Sequence, residues 1–265
     1  AGFMMNDRLR QVLVVVVTVT LIVMNGLSNI RVFGPQTNGD VSGKYNTLIT
    51  PAAYAFGIWG VIFLGLMAFA VYQALPSQRH NPRFRAAGPW YIINALGNAA
   101  WSPIFNQEWI GGALVIILIM FISLFMVMEA LRINPRTDMA MMRPVKTAET
   151  WLARVPFSIY FGWLTVATIL NITLWFRAHN FDLSGISEPV WAVGVLVLGL
   201  IIGAVLYNRY RSAAFILVFT WAYAAIAVQQ AATPTVQLFA GAGAIIAVLL
   251  AIYGLIAPKR RQVTF

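Results

Sequence analysis

The chain has 265 residues, 60% hydrophobic and 10% charged, with a formal net charge of +10 and no cysteine. Soluble domains carry about 25% charged residues, so this composition excludes a freely soluble globule. The missing cysteines exclude disulfides, iron–sulfur clusters and thiolate metal sites. The basic residues lie in connecting segments with no interleaved aromatic stripe, which argues against a nucleic-acid partner and for topology and anionic lipid as their explanation.

A spanning helix needs about 20 mainly apolar residues. Eight segments meet or approach that length, at about 9–27, 52–75, 89–106, 110–131, 152–176, 189–207, 212–229 and 235–257. The first contains the run Val12–Val17 and has no small-x-small cleavage site, so it reads as a span and not a cleaved leader. Gly34-Pro35 and Asn38-Gly39 break the chain before the second span, and Pro76 and Pro82 before the third. Only Asn106-Gln107-Glu108 divides the third from the fourth, which predicts a tight turn. Pro135 and Pro144 precede the fifth, Pro189 and Pro234 open the sixth and eighth, and Pro258 follows the eighth. The expected fold class is all-α, a polytopic membrane helix bundle of eight transmembrane helices.

Loop charge orients that bundle. With eight spans, all 18 basic residues except Arg31, Lys44 and Arg177 fall on the side that carries both termini. The positive-inside rule makes that side cytoplasmic.

The spans are poor in reactive groups. Charged residues inside a membrane usually mark ion pathways or proton relays, and none stands near the middle of a span. Glu129 lies three residues before Arg132 at the end of the fourth span and reads as half of an interfacial pair. Arg154 and Arg177 sit at opposite ends of the fifth, where they can snorkel. Lys44, Lys146 and Lys259 lie in loops or the tail, so no amine is placed for a retinal Schiff base, and His80 and His179 lie in polar connections. No catalytic residue and no metal ligand set is expected.

What the spans do contain is aromatic rings beside amides. Nine tryptophans are present. Trp90, Trp109, Trp151 and Trp191 fall at span ends and read as an interfacial belt. Asn94, Asn98 and Trp101 share one helical face of the third span. Tyr160, Trp163, Ala167, Asn171 and Trp175 share one face of the fifth. An amide facing lipid would be unsatisfied, so both faces should turn inward. The orientation predicts that Tyr54 and Trp59, Asn98 and Trp101, and Asn171 and Trp175 fall in the outer half of the membrane. Two readings stand: interhelical glue, or a pocket for a flat apolar ligand with ring faces for stacking and amides for orientation.

These residues also carry a family resemblance. Asn98-Ala-Ala-Trp101-Ser102-Pro103-Ile-Phe105 resembles the third-helix motif of the TspO/MBR family, the tryptophan-rich sensory or translocator proteins. Tyr160-Phe-Gly-Trp163-Leu-Thr-Val-Ala167-Thr-Ile-Leu170-Asn171, continuing to Trp175, is similar to its fifth-helix pattern. Thr50-Pro51-Ala-Ala-Tyr54-Ala-Phe56-Gly57-Ile-Trp59 resembles the start of its second helix, with one proline where the family usually has two.

The resemblance covers 1–178, a TspO-like five-helix transmembrane bundle, and leaves 179–265 as three additional transmembrane helices. It implies a membrane protein that binds a tetrapyrrole, porphyrin or sterol-like molecule as sensor, carrier or regulator. It also implies a homodimer, and a ligand held without covalent attachment or axial ligation. The ligand-binding residues it implies, together with the shared faces above, are Tyr54, Trp59, Asn98, Trp101, Tyr160, Trp163, Asn171 and Trp175. Two alternatives are a pigment-degrading membrane enzyme and an interaction subunit of a membrane complex. The latter draws on Gly199-x-x-x-Gly203 and Gly241-Ala-Gly243 as small-residue faces.

Overall fold

A computed structural model describes residues 5–131, 133, 143–180 and 185–257. Arg132, Arg136, Lys259, Arg260 and Arg261, which contribute to the charge asymmetry, and Pro135 and Pro258 lie outside the described residues. Among those described there is no strand, and eight long helices are present: α1 (Asp7–Asn29), α2 (Ile58–Ala74), α3 (Pro82–Asn106), α4 (Ile110–Ala130), α5 (Val155–Ala178), α6 (Glu188–Tyr210), α7 (Ala213–Gln229) and α8 (Pro234–Ile256). A short helix, Asn38–Lys44, sits in the first connection.

Six helical stretches are long and apolar enough to cross a membrane: Asp7–Asn29, Ala53–Ala74, Ile110–Ala130, Thr147–Ala178, Glu188–Tyr210 and Pro234–Ile256. The other two depart for different reasons. At 17 residues, α7 is short. Long enough at 25 residues, α3 spends its hydropathy on Arg83, Arg85, Asn94, Asn98, Ser102 and Asn106, most of them buried against other helices.

The helix ends follow local chemistry. The α3 helix starts at Pro82, earlier than its apolar run, because the Asn81 side chain accepts from the Arg83 N–H and Pro82 needs no donor in the first turn. Arg83 itself is buried in a pair with Glu149, Nε to Oε2 at 2.7 Å. Between α3 and α4, Glu108 takes a left-handed conformation at φ 56° and makes the expected tight turn. The second span does not run as one α-helix from residue 52, because residues Ala53–Gly57 form a 3-10 turn before α2 begins. Ahead of α5, Thr150–Arg154 widen into a π turn. Pro156 follows it, and a proline ring crowds the carbonyl four residues back.

Small residues set the close approaches. A Cβ on Gly162 of α5 would stand 2.7 Å from the Phe215 carbonyl oxygen of α7. Gly199 and Gly203 of α6 receive Tyr223 and Phe219 of α7, and Gly243 of α8 receives Tyr223 from the other side. These glycines are therefore occupied within the chain. Glu129 accepts two bonds from Arg209, at 2.6 and 2.9 Å, and one from the Tyr210 hydroxyl at 2.7 Å, so it ties α4 to α6. Of the belt residues, Trp90, Trp109 and Trp151 are exposed.

Candidate functional site: an amide and indole cluster between α1, α3 and α5

Spacing of four residues brings Asn94, Asn98 and Ser102 of α3 to one face, turned inward as the sequence predicts; all three are buried. The Asn98 amide donates to the Tyr160 hydroxyl of α5 at 2.8 Å, and that hydroxyl donates onward to Asn94 Oδ1 at 2.8 Å. Asn94 Nδ2 donates to the Met120 carbonyl of α4 at 3.0 Å. Toward the other end, Asn25 of α1 donates to Asn98 Oδ1 at 2.9 Å and accepts from Ser102 at 3.0 Å. Ser102 in turn accepts from Asn38 of the first connection at 3.0 Å. One continuous chain of hydrogen bonds therefore links four helices and the loop. Satisfied amides of this kind fix which faces meet.

The rings surround this chain. Trp59 presents its edge to Tyr160 with centroids 6.0 Å apart and stacks on Phe63 at 5.6 Å. Trp163, one turn beyond Tyr160, is fully buried, and Phe56 stands edge-on to it at 5.6 Å. Trp101, one turn beyond Asn98, stacks on Phe105 at 4.5 Å with planes 15° apart. Neither Trp163 Nε1 nor Trp101 Nε1 makes a hydrogen bond within the protein, although both atoms are buried. A buried unsatisfied donor costs about 1–3 kcal/mol, so each indole N–H is a donor with capacity to spare for a ligand acceptor. Asn106, one turn past Ser102, also has its side-chain amide buried without a partner.

The eight residues singled out by sequence do not form one cluster. Asn98, Tyr160, Trp59 and Trp163 come together. Trp101 borders both this core and the smaller cluster at the α3–α4 turn, around Val41, Phe105, Ile110 and Ala113, whereas Trp175 packs at that turn alone. Asn171 donates to the Ala167 carbonyl of its own helix at 2.8 Å and does not join the network. Tyr54 lies outside both groups, half exposed, edge-on to Trp221 of α7 at 5.4 Å.

Reasoning from sequence missed Asn25, Asn38, Ser102 and Trp221. Ser102 carried a signal, four residues after Asn98 inside the third-helix motif, and Asn25 is an amide at the end of an apolar run. Trp221 carried none, because its Nε1 donates to a backbone carbonyl, that of Ala55, at 2.9 Å.

A lid closes the end of the cluster at the α3–α4 turn. Glu108 accepts from Lys44 and, at 3.0 Å, from the Tyr45 hydroxyl, while Gln107 donates to the Phe33 carbonyl. These bonds fasten residues 33–45 over the end of α3 and the α3–α4 turn. Lys44, Gln36 and Tyr45, in that order of effect, hold the Glu108 carboxyl below the usual carboxylate range.

Chemically the cluster offers amides, hydroxyls, indole N–H groups and ring faces. Ring faces can stack on a flat partner, and indole N–H groups and amides can donate to its acceptors. Among the described residues no group of three or more His, Cys, Asp or Glu is placed to hold a metal ion.

The sequence model of a family described as "TSPO-like protein" matches residues 11–253. No match is found among curated proteins or among solved structures. The family match takes in the amide and indole cluster, the 3-10 turn and the three C-terminal helices as far as residue 253. The chain therefore belongs to the TSPO-like protein family, as an all-helical membrane protein of the TspO type.

Proposed function

We propose that this protein binds a flat hydrophobic molecule, of tetrapyrrole, porphyrin or sterol-like shape, between α1, α3 and α5, and acts as a sensor, carrier or regulator. The observation that carries the reading is the pair of buried, unpartnered indole donors, Trp101 and Trp163. Each lies one turn beyond a member of the Asn98–Tyr160 hydrogen bond. In this reading Trp101 and Trp163 stack, Asn98 orients the polar edge, and Trp59, Tyr160, Asn171, Trp175 and Tyr54 complete the lining. No histidine or cysteine supplies an axial ligand, so shape and stacking hold a tetrapyrrole.

The accompanying architecture is an eight-span bundle with both termini cytoplasmic, in which 1–178 carries the ligand and 179–265 buttresses it. Here α3 crosses as the most polar span and α7 as the shortest, supported by the basic-residue asymmetry. A homodimer remains part of the proposal on family grounds. Gly199, Gly203 and Gly243 lend it no support, since Tyr223 and Phe219 occupy them.

The test is an absorption spectrum of the purified protein, followed by titration with metal-free protoporphyrin IX. A co-purifying band, or a saturable shift at one porphyrin per chain, supports the reading. A linear, non-saturating response overturns it. Bleaching of the bound band under illumination, with a new product band, would favour the pigment-degrading alternative.

A further inference from the structure

The site just proposed is closed. Tyr160 and Trp163 are fully buried, and a ligand as wide as a porphyrin needs a way in. The ring that covers Trp163 from the side is Phe56, which is itself 40% exposed on the flank of the bundle. Phe56 belongs to the 3-10 turn Ala53–Gly57, whose i→i+3 bonds have poorer geometry than those of the α-helix it leads into. Gly57, which ends the turn, and Gly60 beyond it have open space where a side chain would stand.

This turn is fastened along its outer edge by α7. The Ala52 N–H donates to the Ala225 carbonyl at 3.0 Å, and Trp221 Nε1 donates to the Ala55 carbonyl at 2.9 Å. Gln230 Nε2 donates to the Thr50 carbonyl at 2.9 Å and the Thr47 carbonyl at 3.3 Å. Tyr54 rests edge-on against Trp221. All four hydrogen bonds reach backbone groups of one segment, 47–55, immediately before the ring that shields Trp163.

We propose that the turn Ala53–Gly57 is a lateral gate between α2 and α7, with Phe56 as its leaf and Trp221 as its latch, admitting a flat apolar ligand from the side of the bundle to Trp163. This rests on the ligand-site reading above. It gives the C-terminal helices a part in ligand exchange, because α7 sets how often the gate opens. Phe56 and Trp221 are positioning and gating residues, and the ligand's stacking partners lie deeper.

Stopped-flow measurement of uptake and release of metal-free protoporphyrin IX, with the full chain in lipid nanodiscs, tests the gate. Trp221→Phe keeps a ring and removes the Nε1 donor. It should raise the association and dissociation rates together, by up to about tenfold, the factor that one net hydrogen bond supplies, and leave Kd nearly unchanged. Phe56→Ala should also speed association. Phe239→Ala, an exposed ring on α8, should change neither rate. A purely structural role for Trp221 would weaken Kd without accelerating association. Association rates unchanged or slower in both gate variants, with porphyrin still bound, overturn the gate. An unaltered protein that takes up no porphyrin overturns the ligand reading instead. Amide exchange over residues 52–57 tests the gate without ligand: Trp221→Phe should accelerate it relative to Phe239→Ala, and equal exchange counts against the latch.

Discussion

The Tyr160 hydroxyl accepts from Asn98 and donates to Asn94, so one oxygen satisfies two buried amides from α3 at once. Water does not readily replace it in a fully buried position. Tyr160→Phe keeps the ring but leaves both amides short of a partner, which should destabilise the folded protein by about 1–3 kcal/mol. Thermal unfolding in detergent checks this, and an unchanged midpoint would mean the amides find other partners. The inward direction of Asn94, Asn98 and Tyr160 was legible because lipid forbids an unpaired amide and helical spacing fixes which residues share a face. Their exact pairing was not, since it depends on the rotation of α3 against α5. Asn171 illustrates the limit: at the right spacing, it satisfies itself on the Ala167 carbonyl.

The lid over the cluster is an element with its own pH dependence. Glu108 loses its proton at lower pH than an ordinary glutamate, because Lys44, Gln36 and Tyr45 stabilise the charged form. A carboxyl with a lowered folded-state pKa contributes stability that is fully present above the unfolded value and lost as pH falls through the folded one. Amide exchange of residues 33–45 should therefore stay constant from neutral pH down to about 4.5, once corrected for intrinsic rates, and rise only in stronger acid. Glu108→Gln should shrink the acid step to the share that Asp40 keeps through its bonds with Thr37, and loosen the lid at neutral pH. Loosening that begins near pH 6 would contradict the assignment to Glu108.

Most helices were legible as elements, because apolar runs of spanning length have few alternatives. Two local features were not. The 3-10 turn at Ala53–Gly57 is stabilised by α7, far away in sequence, and the early start of α3 depends on burial of Arg83 against Glu149.

At the scale of the molecule, the two halves of the chain are joined by directed bonds. Arg209 binds Glu129, Trp221 binds Ala55, and Gln230 reaches Thr47 and Thr50. The sequence could not foresee this, since three of the four acceptors are backbone carbonyls. The proposed topology makes a plain prediction: reporter fusions at residues 85, 145 and 210 should read cytoplasmic, and those near 40 and 182 external. A cytoplasmic signal at 182 would contradict the eight-span crossing.

The central claim is that the indoles bind a ligand and do not merely pack, and Trp101 tests it most directly. It is only partly buried, so the bundle tolerates its truncation better than that of the fully enclosed Trp163. A lost stacking contact is worth about 0.5–1.5 kcal/mol beyond area burial, and the apolar area adds to it. Equilibrium titration with metal-free protoporphyrin IX should show Trp101→Ala at least about tenfold weaker than the unaltered protein, a loss of roughly 1.4 kcal/mol. Trp101→Phe should keep much of the affinity, and Trp90→Ala, an exposed ring three turns earlier on α3, should keep all of it. Equal losses at Trp90 and Trp101, or full affinity in a folded Trp101→Ala variant, would contradict the account.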